Sequence, residues 1–425
     1  MRQLSLSSLL YVLLPLFIAG WWTAAFYQDP SLSKLASPSS TARLTKDGLA
    51  LSTNTLLDAL SPFQRETIHK ALAGNFDLMA TLIEQWEFDA QYLTCQGVPR
   101  IQQLPAEEVV KARLLSSLLA SSTGETVRLL NKKMSLKEIQ DDSGHLLKPA
   151  NSYHRFLPQT YVAASFLLAI ASPEEIIALP KGVRHLPSLY SPALIEAINH
   201  NIESLSGEKL FLAKPDIAFV APYSHPPALE ALRSYGIDLC TLKGSNNLEN
   251  IQESLLKVGH ITHHILEAQL LSIFIDACFT AIDNRLEALH ASANQQQNLK
   301  NFLYLSYRHH FMLPSAHSSS GQLITRMLEH YPNLSCLIAR DTNQWNIPFE
   351  QEKILSYNPD CLLVSMPHCT HHPLAPGHQQ ALHQISAFQN NRIFFIDETI
   401  QDSPTQYIAL AYFDLYDALV KAHYL

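Results

Sequence analysis

Three groups of histidines in this 425-residue chain fall in short polar stretches beside aromatic residues: Tyr223-Ser-His225, Tyr307-Arg308-His309-His310 and His368-Cys-Thr-His371-His372. Neutral imidazole is the commonest protein ligand for borderline transition metals and can be axial to haem iron. One histidine from each group, His225, His309 and His368, could therefore converge on a metal, with His371 as a further ligand-binding residue. Arg308 could instead clamp a carboxylate, and Trp345, Tyr223 and Tyr307 could stack on a planar ligand. Histidine is abundant, at 20 residues, so the same stretches also fit polar loops that hold nothing.

Catalytic patterns are missing where they would be sought. No H-E-x-x-H occurs, and His263-His-Ile-Leu-Glu267 reads as the solvated face of a helix. No G-x-S-x-G occurs either, and Ser318-Ser-Ser-Gly321 reads as the loop that starts a helix. Only 13 glycines are present and none forms a G-x-G-x-x-G or G-x-x-x-x-G-K-[ST] pattern, so no backbone cradle for a dinucleotide or a nucleoside triphosphate is signalled. With 30 Lys+Arg against 38 Asp+Glu, a net charge of −8 and no basic run, nucleic acid is not an expected partner. No enzyme activity is expected.

At 47% hydrophobic and 16% charged, the chain has enough apolar residues for more than one core. Arg2 precedes an apolar run from Leu9 to Phe26 that ends near Ala24-Ala25. Residues 1–26 therefore read as a secretory signal peptide. An anchor over residues 4–26 is the alternative, because Trp21 and Trp22 suit a membrane interface. Either places the body outside the cytoplasmic membrane. The six cysteines are widely spaced without C-x-x-C, and Cys240 and Cys361 read as buried thiols in apolar strands.

Residues 27–54 read as a linker rich in Ser, Thr and Ala. Residues 55–153 read as an all-α extension, with helices around 63–72, 78–86 and 109–119 and no strand pattern. From 154 onward strands and helices alternate, which implies βαβ units and largely parallel sheets. The expected fold class is α/β: two doubly wound lobes, 154–260 and 296–425, joined by a long rigid helix within 261–295 and preceded by the small helical extension. That helix carries Leu271, Ile275, Cys278, Ile282, Leu286 and Leu289 at spacings of three and four. At 1.5 Å per residue it would span roughly 45 Å.

The two lobes share an internal signature. Glu208-Lys leads after eight residues to Pro-Asp216 and the apolar run Ile217–Val220; Glu352-Lys leads likewise to Pro-Asp360 and Cys361–Val364. In each copy a short helix is ended by Pro-Asp and followed at once by a strand.

These residues carry a family resemblance. Arg155-Phe-Leu-Pro158, Phe166-Leu-Leu-Ala-Ile170, Lys214-Pro-Asp-Ile-Ala-Phe-Val220 and Leu229-Glu-Ala-Leu-Arg-Ser-Tyr-Gly-Ile237 resemble the first lobe of the periplasmic substrate-binding proteins of iron-siderophore, haem and cobalamin ABC importers. Phe349-Glu-Gln-Glu-Lys-Ile-Leu355, Asn358-Pro-Asp360 and Asn391-Arg-Ile-Phe-Phe-Ile-Asp397 resemble the second lobe. The resemblance covers about residues 154 to 422. It implies a monomer that captures a small molecule or metal between two lobes and delivers it to an inner-membrane ABC permease. The cargo it points to is chelated iron, as a siderophore complex or haem, whose charged periphery Arg308 could meet. The bound chelate, haem or metal ion is then cargo rather than a resident cofactor. Glu352 matches the position used for docking on the second lobe; the first-lobe position falls near Pro226, with Glu230 one turn on. A free Zn, Mn or Fe receptor using the loop histidines, and an envelope scaffold that does not transport, are the competing expectations.

Overall fold

A computed structural model describes residues 63–95, 101–122, 124–134, 138–147, 153–186, 189–202, 209, 212–244, 247–292, 299–307, 309–340, 342–367, 382–401 and 403–424. The signal or anchor at 1–26 and the linker at 27–54 lie outside them.

Four helices come first: α1 (Arg65–Leu72), α2 (Phe76–Cys95), α3 (Ala106–Ser121) and α4 (Gly124–Met134). Gly74 turns α1 into α2 at a φ of 100°, and a Cβ there would stand 2.4 Å from the Ala169 carbonyl oxygen. Glycine alone supplies both the backbone conformation and the room. This helical segment is not purely α as expected. It ends in a hairpin of β1 (Ile139–Gln140) and β2 (Leu146–Leu147), and two-residue strands are too short to leave an alternating pattern. Asp141 builds the turn: one carboxylate oxygen accepts from the Ser143 and His145 backbone N–H groups, at 2.9 and 2.8 Å, and the other accepts from Thr241 N at 2.8 Å.

The first lobe alternates as expected: β3 (Phe156–Pro158), α5 (Tyr161–Ile170), β4 (Ile217–Val220), α6 (Pro226–Ser234), β5 (Asp238–Thr241) and α7 (Leu248–Thr262). The strands form a parallel sheet in the order β3-β4-β5. Thr160 and Asn247 cap α5 and α7 by accepting from backbone N–H groups three residues on.

The next helix, α8 (Ile265–Ser292), starts later than the sequence suggests, because His263 breaks the run in a left-handed conformation with φ 59°. Its expected apolar stripe is buried, and so is nearly every other face of it. The strut is therefore a central core helix packed against α2, α3, α7, α9 and α11, the last two of which belong to the second lobe. Its buried charges are matched. Asp283 accepts from the Arg326 guanidinium at 2.7 Å and from the Tyr412 hydroxyl at 2.7 Å, and Arg285 donates to Asp89 at 2.9 Å. Among the described residues α8 is the one helix long and apolar enough to cross a membrane, but 83% of its most apolar window is buried within the chain.

The second lobe holds β6 (Asn301–Tyr307), β7 (Phe311–Pro314), α9 (Ser319–His330), β8 (Ser335–Cys336), β9 (Asn346–Pro348), α10 (Gln351–Tyr357), β10 (Cys361–Met366), β11 (Ile393–Asp397) and the closing α11 (Ile408–Tyr424). Its sheet runs β11-β10-β6-β7-β9, with β8 also on β6. β11, β10, β6 and β8 are parallel, while β7 and β9 add antiparallel strands that the sequence did not suggest. Ser318 starts α9 as expected, its hydroxyl accepting from Gly321 N.

Strand alternation explains the layering. Phe156, Ile217, Phe219 and Cys240 of the first sheet and Phe302, Tyr304, Cys361 and Leu363 of the second enter one core shared with α8 and with α1 to α3. The alternate residues, Leu157, Ala218 and Val220, and Leu303, Leu305, Leu362 and Val364, fill a smaller core on the far side of each sheet. The fold is thus α/β with two lobes on one central helix. The N-terminal helices belong to the shared core: Trp86 stacks on Phe274 at 5.4 Å, and Arg65 pairs with Asp414 at 2.7 Å.

Candidate functional site

The repeated Pro-Asp signature has the same structural task in both lobes. The Asp216 carboxylate accepts from the His154 and Arg155 backbone N–H groups, at 2.7 and 3.0 Å, as the chain enters β3. The Asp360 carboxylate accepts from Lys300 N and Asn301 N, each at 3.0 Å, as the chain enters β6. Lys214 and Asn358, the residues just before Pro215 and Pro359, both take positive φ, 44° and 47°. Each device ties the N-terminal end of a strand to its neighbour and sets the level at which the C-terminal loops emerge. In open α/β sheets those loops are where ligands sit.

After β4 the chain forms a tight turn in which Ala221 N donates to the Ser224 hydroxyl and Ser224 N donates to the Ala221 carbonyl, each at 3.0 Å. The clamp turns Tyr223 outward, leaving it 87% exposed. His225 follows at the start of α6, also exposed, its carbonyl taking the first helical hydrogen bonds. Ser224 is the residue that sequence reasoning passed over here. Its signal was visible: a serine two residues after Pro222 is well suited to closing such a turn through its hydroxyl.

In the second lobe β6 ends at Tyr307 and the chain returns as β7, with His309 and His310 exposed in the connection. Tyr307 is buried, its ring 4.9 Å from that of Phe311. Of the three aromatic residues expected to stack on a ligand, Tyr223 and Trp345 therefore present their rings to solvent and Tyr307 does not. Trp345 is half exposed but stands elsewhere, at the start of β9, where its carbonyl accepts from Ser315 N. That is four residues along β7 from the Tyr307–Phe311 pair, or about 13 Å at 3.3 Å per residue. Arg308, His368 and His371 lie outside the described residues. Among the described residues no group of three or more His, Cys, Asp or Glu side chains is placed to hold a metal ion.

Glu352 occupies the first turn of α10 and is exposed, where the helix dipole favours a carboxylate. Glu230 is exposed in the middle of α6. Cys240 and Cys361 are buried free thiols, and desolvation raises both well above the ordinary thiol range. They are not reactive groups.

The pair expected on a solvated helix face is the clearest departure. His264 and Glu267 are both largely buried, because the break at His263 turns them inward. His264 Nε2 lies 3.1 Å from a Glu175 carboxylate oxygen, and Asn131 donates to Glu267 at 2.9 Å. Burial alone would lower the His264 imidazole; its hydrogen bond and charge interaction with Glu175 carry it above its ordinary value. Burial acts the other way on Glu175, and His264 holds its carboxyl below the ordinary range.

No family model matches the chain, and no curated protein matches it. Solved structures similar to it are periplasmic solute-binding proteins. A possible iron-binding periplasmic solute-binding protein from Staphylococcus epidermidis is 17% identical, with a TM-score of 0.48, over 63% of this chain and 99% of that one. The periplasmic haem-binding protein HutB of Vibrio cholerae is 16% identical, with a TM-score of 0.47, over 62% of this chain and 98% of that one. The molybdate periplasmic binding protein MolA of a Haemophilus influenzae ABC transporter is 14% identical, with a TM-score of 0.49, over 68% of this chain and 93% of that one.

Proposed function

We propose that this chain is an exported, non-enzymatic solute-binding protein that captures chelated iron, as a siderophore complex or haem, and delivers it to an ABC importer. The observation that carries the reading is the duplicated strand anchor. Asp216 and Asp360 fix the first strand of each sheet in the same way, so two homologous sets of strand-end loops stand ready to hold a ligand from two sides. The residues quoted for the family resemblance include both anchoring aspartates and Arg155–Pro158 at β3.

The chemistry of the loops supports a cargo that arrives with its metal already coordinated. Tyr223 offers an exposed ring, and His225 and His309 offer at most single contacts from separate loops. Stacking and one axial contact suffice for a planar chelate, whereas a bare ion needs three or four side chains at about 2.0 to 2.2 Å. Arg308 would supply positive charge to an anionic chelate. Glu352, on the opposite surface chemistry of an exposed helix, would meet a basic permease.

Protein purified from its own envelope and analysed for metal and for small molecules by mass spectrometry tests this directly. Iron together with a stoichiometric chelator or haem is the expected result, and Tyr223→Ala should weaken rebinding of that cargo about tenfold. Submicromolar binding of free Zn²⁺ or Mn²⁺ that each of His225→Ala, His309→Ala and His368→Ala abolishes would replace this reading with a free-ion receptor.

A further inference from the structure

Two helix corners and two helix ends meet at the N-terminal edge of the first sheet, the edge opposite Tyr223 and His225. There α1 turns into α2 at Gly74, α3 ends at Ser122, α5 ends at Ala171, and α7 turns into α8 at His263. Helix corners carry no continuous ridge of side chains, so they do not interdigitate as helix faces do, and a cavity of about 550 Å³ remains between them. That volume lies within the range of small-molecule sites, roughly 300 to 1,000 Å³. An annex of about 140 Å³ shares Arg128, His154 and His263 with it and adds Glu125, Leu129 and Lys132, so two cationic side chains there face one carboxylate.

The charges sort by position. Toward the inner wall each carboxylate already has a partner, Glu175 in His264 and Glu267 in Asn131. At the rim Arg128 donates to His154 Nε2 at 3.0 Å, which satisfies one N–H but leaves its charge unmatched. Among the described residues no carboxylate lies within ion-pair distance of Arg128 or Lys132, and both are exposed toward the opening. The rest of the lining mixes polar groups with the apolar side chains of Leu119, Val127, Leu168 and Ile170. The field at the rim is felt by His263, whose imidazole is held below its ordinary value first by burial and then by His154, His264, Lys132 and Arg128.

We propose that this cavity binds a small monocarboxylate with an apolar body, its carboxylate held by Arg128 and Lys132 and its body against Leu119, Val127, Leu168 and Ile170. A cation would meet an entrance where Arg128 and Lys132 outnumber Glu125, and carboxylates within that are already hydrogen-bonded by His264 and Asn131. A bare anion would leave the apolar wall facing water. The site lies at the other end of the first lobe from the strand-end loops, so it stands or falls independently of the cargo proposed for them.

Calorimetric titration of the full chain with octanoate and with indole-3-acetate tests it, with acetate and octyltrimethylammonium as controls. Saturable one-to-one binding of at least one of the two acids is expected, at least a hundredfold tighter than acetate and without measurable binding of the ammonium compound. Arg128→Gln combined with Lys132→Gln should weaken that binding at least tenfold and leave the thermal midpoint unchanged, since both side chains are exposed. Ala171→Phe should block the cavity and abolish binding. The proposal is overturned by failure of both acids to bind, by equally tight binding of octyltrimethylammonium, or by acid binding that the Arg128 and Lys132 changes do not alter.

Discussion

The two edges of the first sheet are made of different material. At the N-terminal edge the groups where the strands begin are paired: Asp216 gathers two backbone N–H groups, the Tyr153 hydroxyl donates to Asp238 at 2.7 Å, and His264 meets Glu175. At the C-terminal edge Tyr223 and His225 stand in solvent. The second sheet repeats the contrast, with Asp360 below and His309 above. A buried polar group stripped of its partner costs about 1 to 3 kcal/mol, while exposed residues change at little cost. The strands are thus anchored at their N-terminal ends, in the first lobe beside the helix-lined cavity, while their C-terminal loops are left free to vary.

The largest test of that contrast is removal of an anchor. Asp216→Ala and Asp360→Ala each remove two hydrogen bonds to a carboxylate, one from a part-buried and one from an exposed backbone N–H, and each should lower unfolding free energy by about 2 kcal/mol in chemical denaturation. Losses below about 0.5 kcal/mol in both would mean that the N-terminal edges are held by something else.

A smaller and pH-dependent loss should follow His264→Gln. The imidazole is raised in the folded state, so its contribution is complete below its ordinary value of 6.5 and fades as pH rises through the folded value. The Glu175 carboxyl is lowered, so its contribution is complete above 4.5 and fades as pH falls through the folded value. The pair is therefore strongest from about pH 5 to pH 6.5. Thermal melts should show His264→Gln costing about 1 to 2 kcal/mol at pH 6 and clearly less at pH 9. An equal cost at both pH values would remove the ion pair from the account.

The smallest effect on stability, within about 0.5 kcal/mol, is expected for Glu352→Ala, which touches neither edge. It should leave cargo affinity intact while reducing uptake in cells. Loss of cargo binding would instead move Glu352 into the recognition surface.

Much of the framework was legible because it is local. Ile217–Val220 and Cys361–Val364 read as strands since a short apolar run follows Pro-Asp, and Ser318 announces the helix it caps, whereas α7 and its Asn247 cap were not read. The hairpin at 139–147 was not legible, because its strands have two residues each and its turn is completed by Thr241 from another element. Among the candidate site residues, the exposure of Tyr223 and His225 agrees with loop positions read from the sequence. The burial of Tyr307 does not, since it depends on Phe311 returning beside it in β7.

By itself, then, the sequence determined the strand and helix alternation, the duplicated Pro-Asp signature and the position of the long helix, all set by neighbours within a few residues. Tertiary structure alone decided that the long helix is buried on nearly every side, that the N-terminal helices join its core, and that His264 and Glu267 face inward. The physical reason is distance along the chain. Glu267 takes its hydrogen bond from Asn131, 136 residues away, and Tyr412 reaches Asp283 across 129. A buried charge declares itself only through the partner that makes its burial tolerable, and nothing in the local pattern of either segment specifies which residue that partner will be.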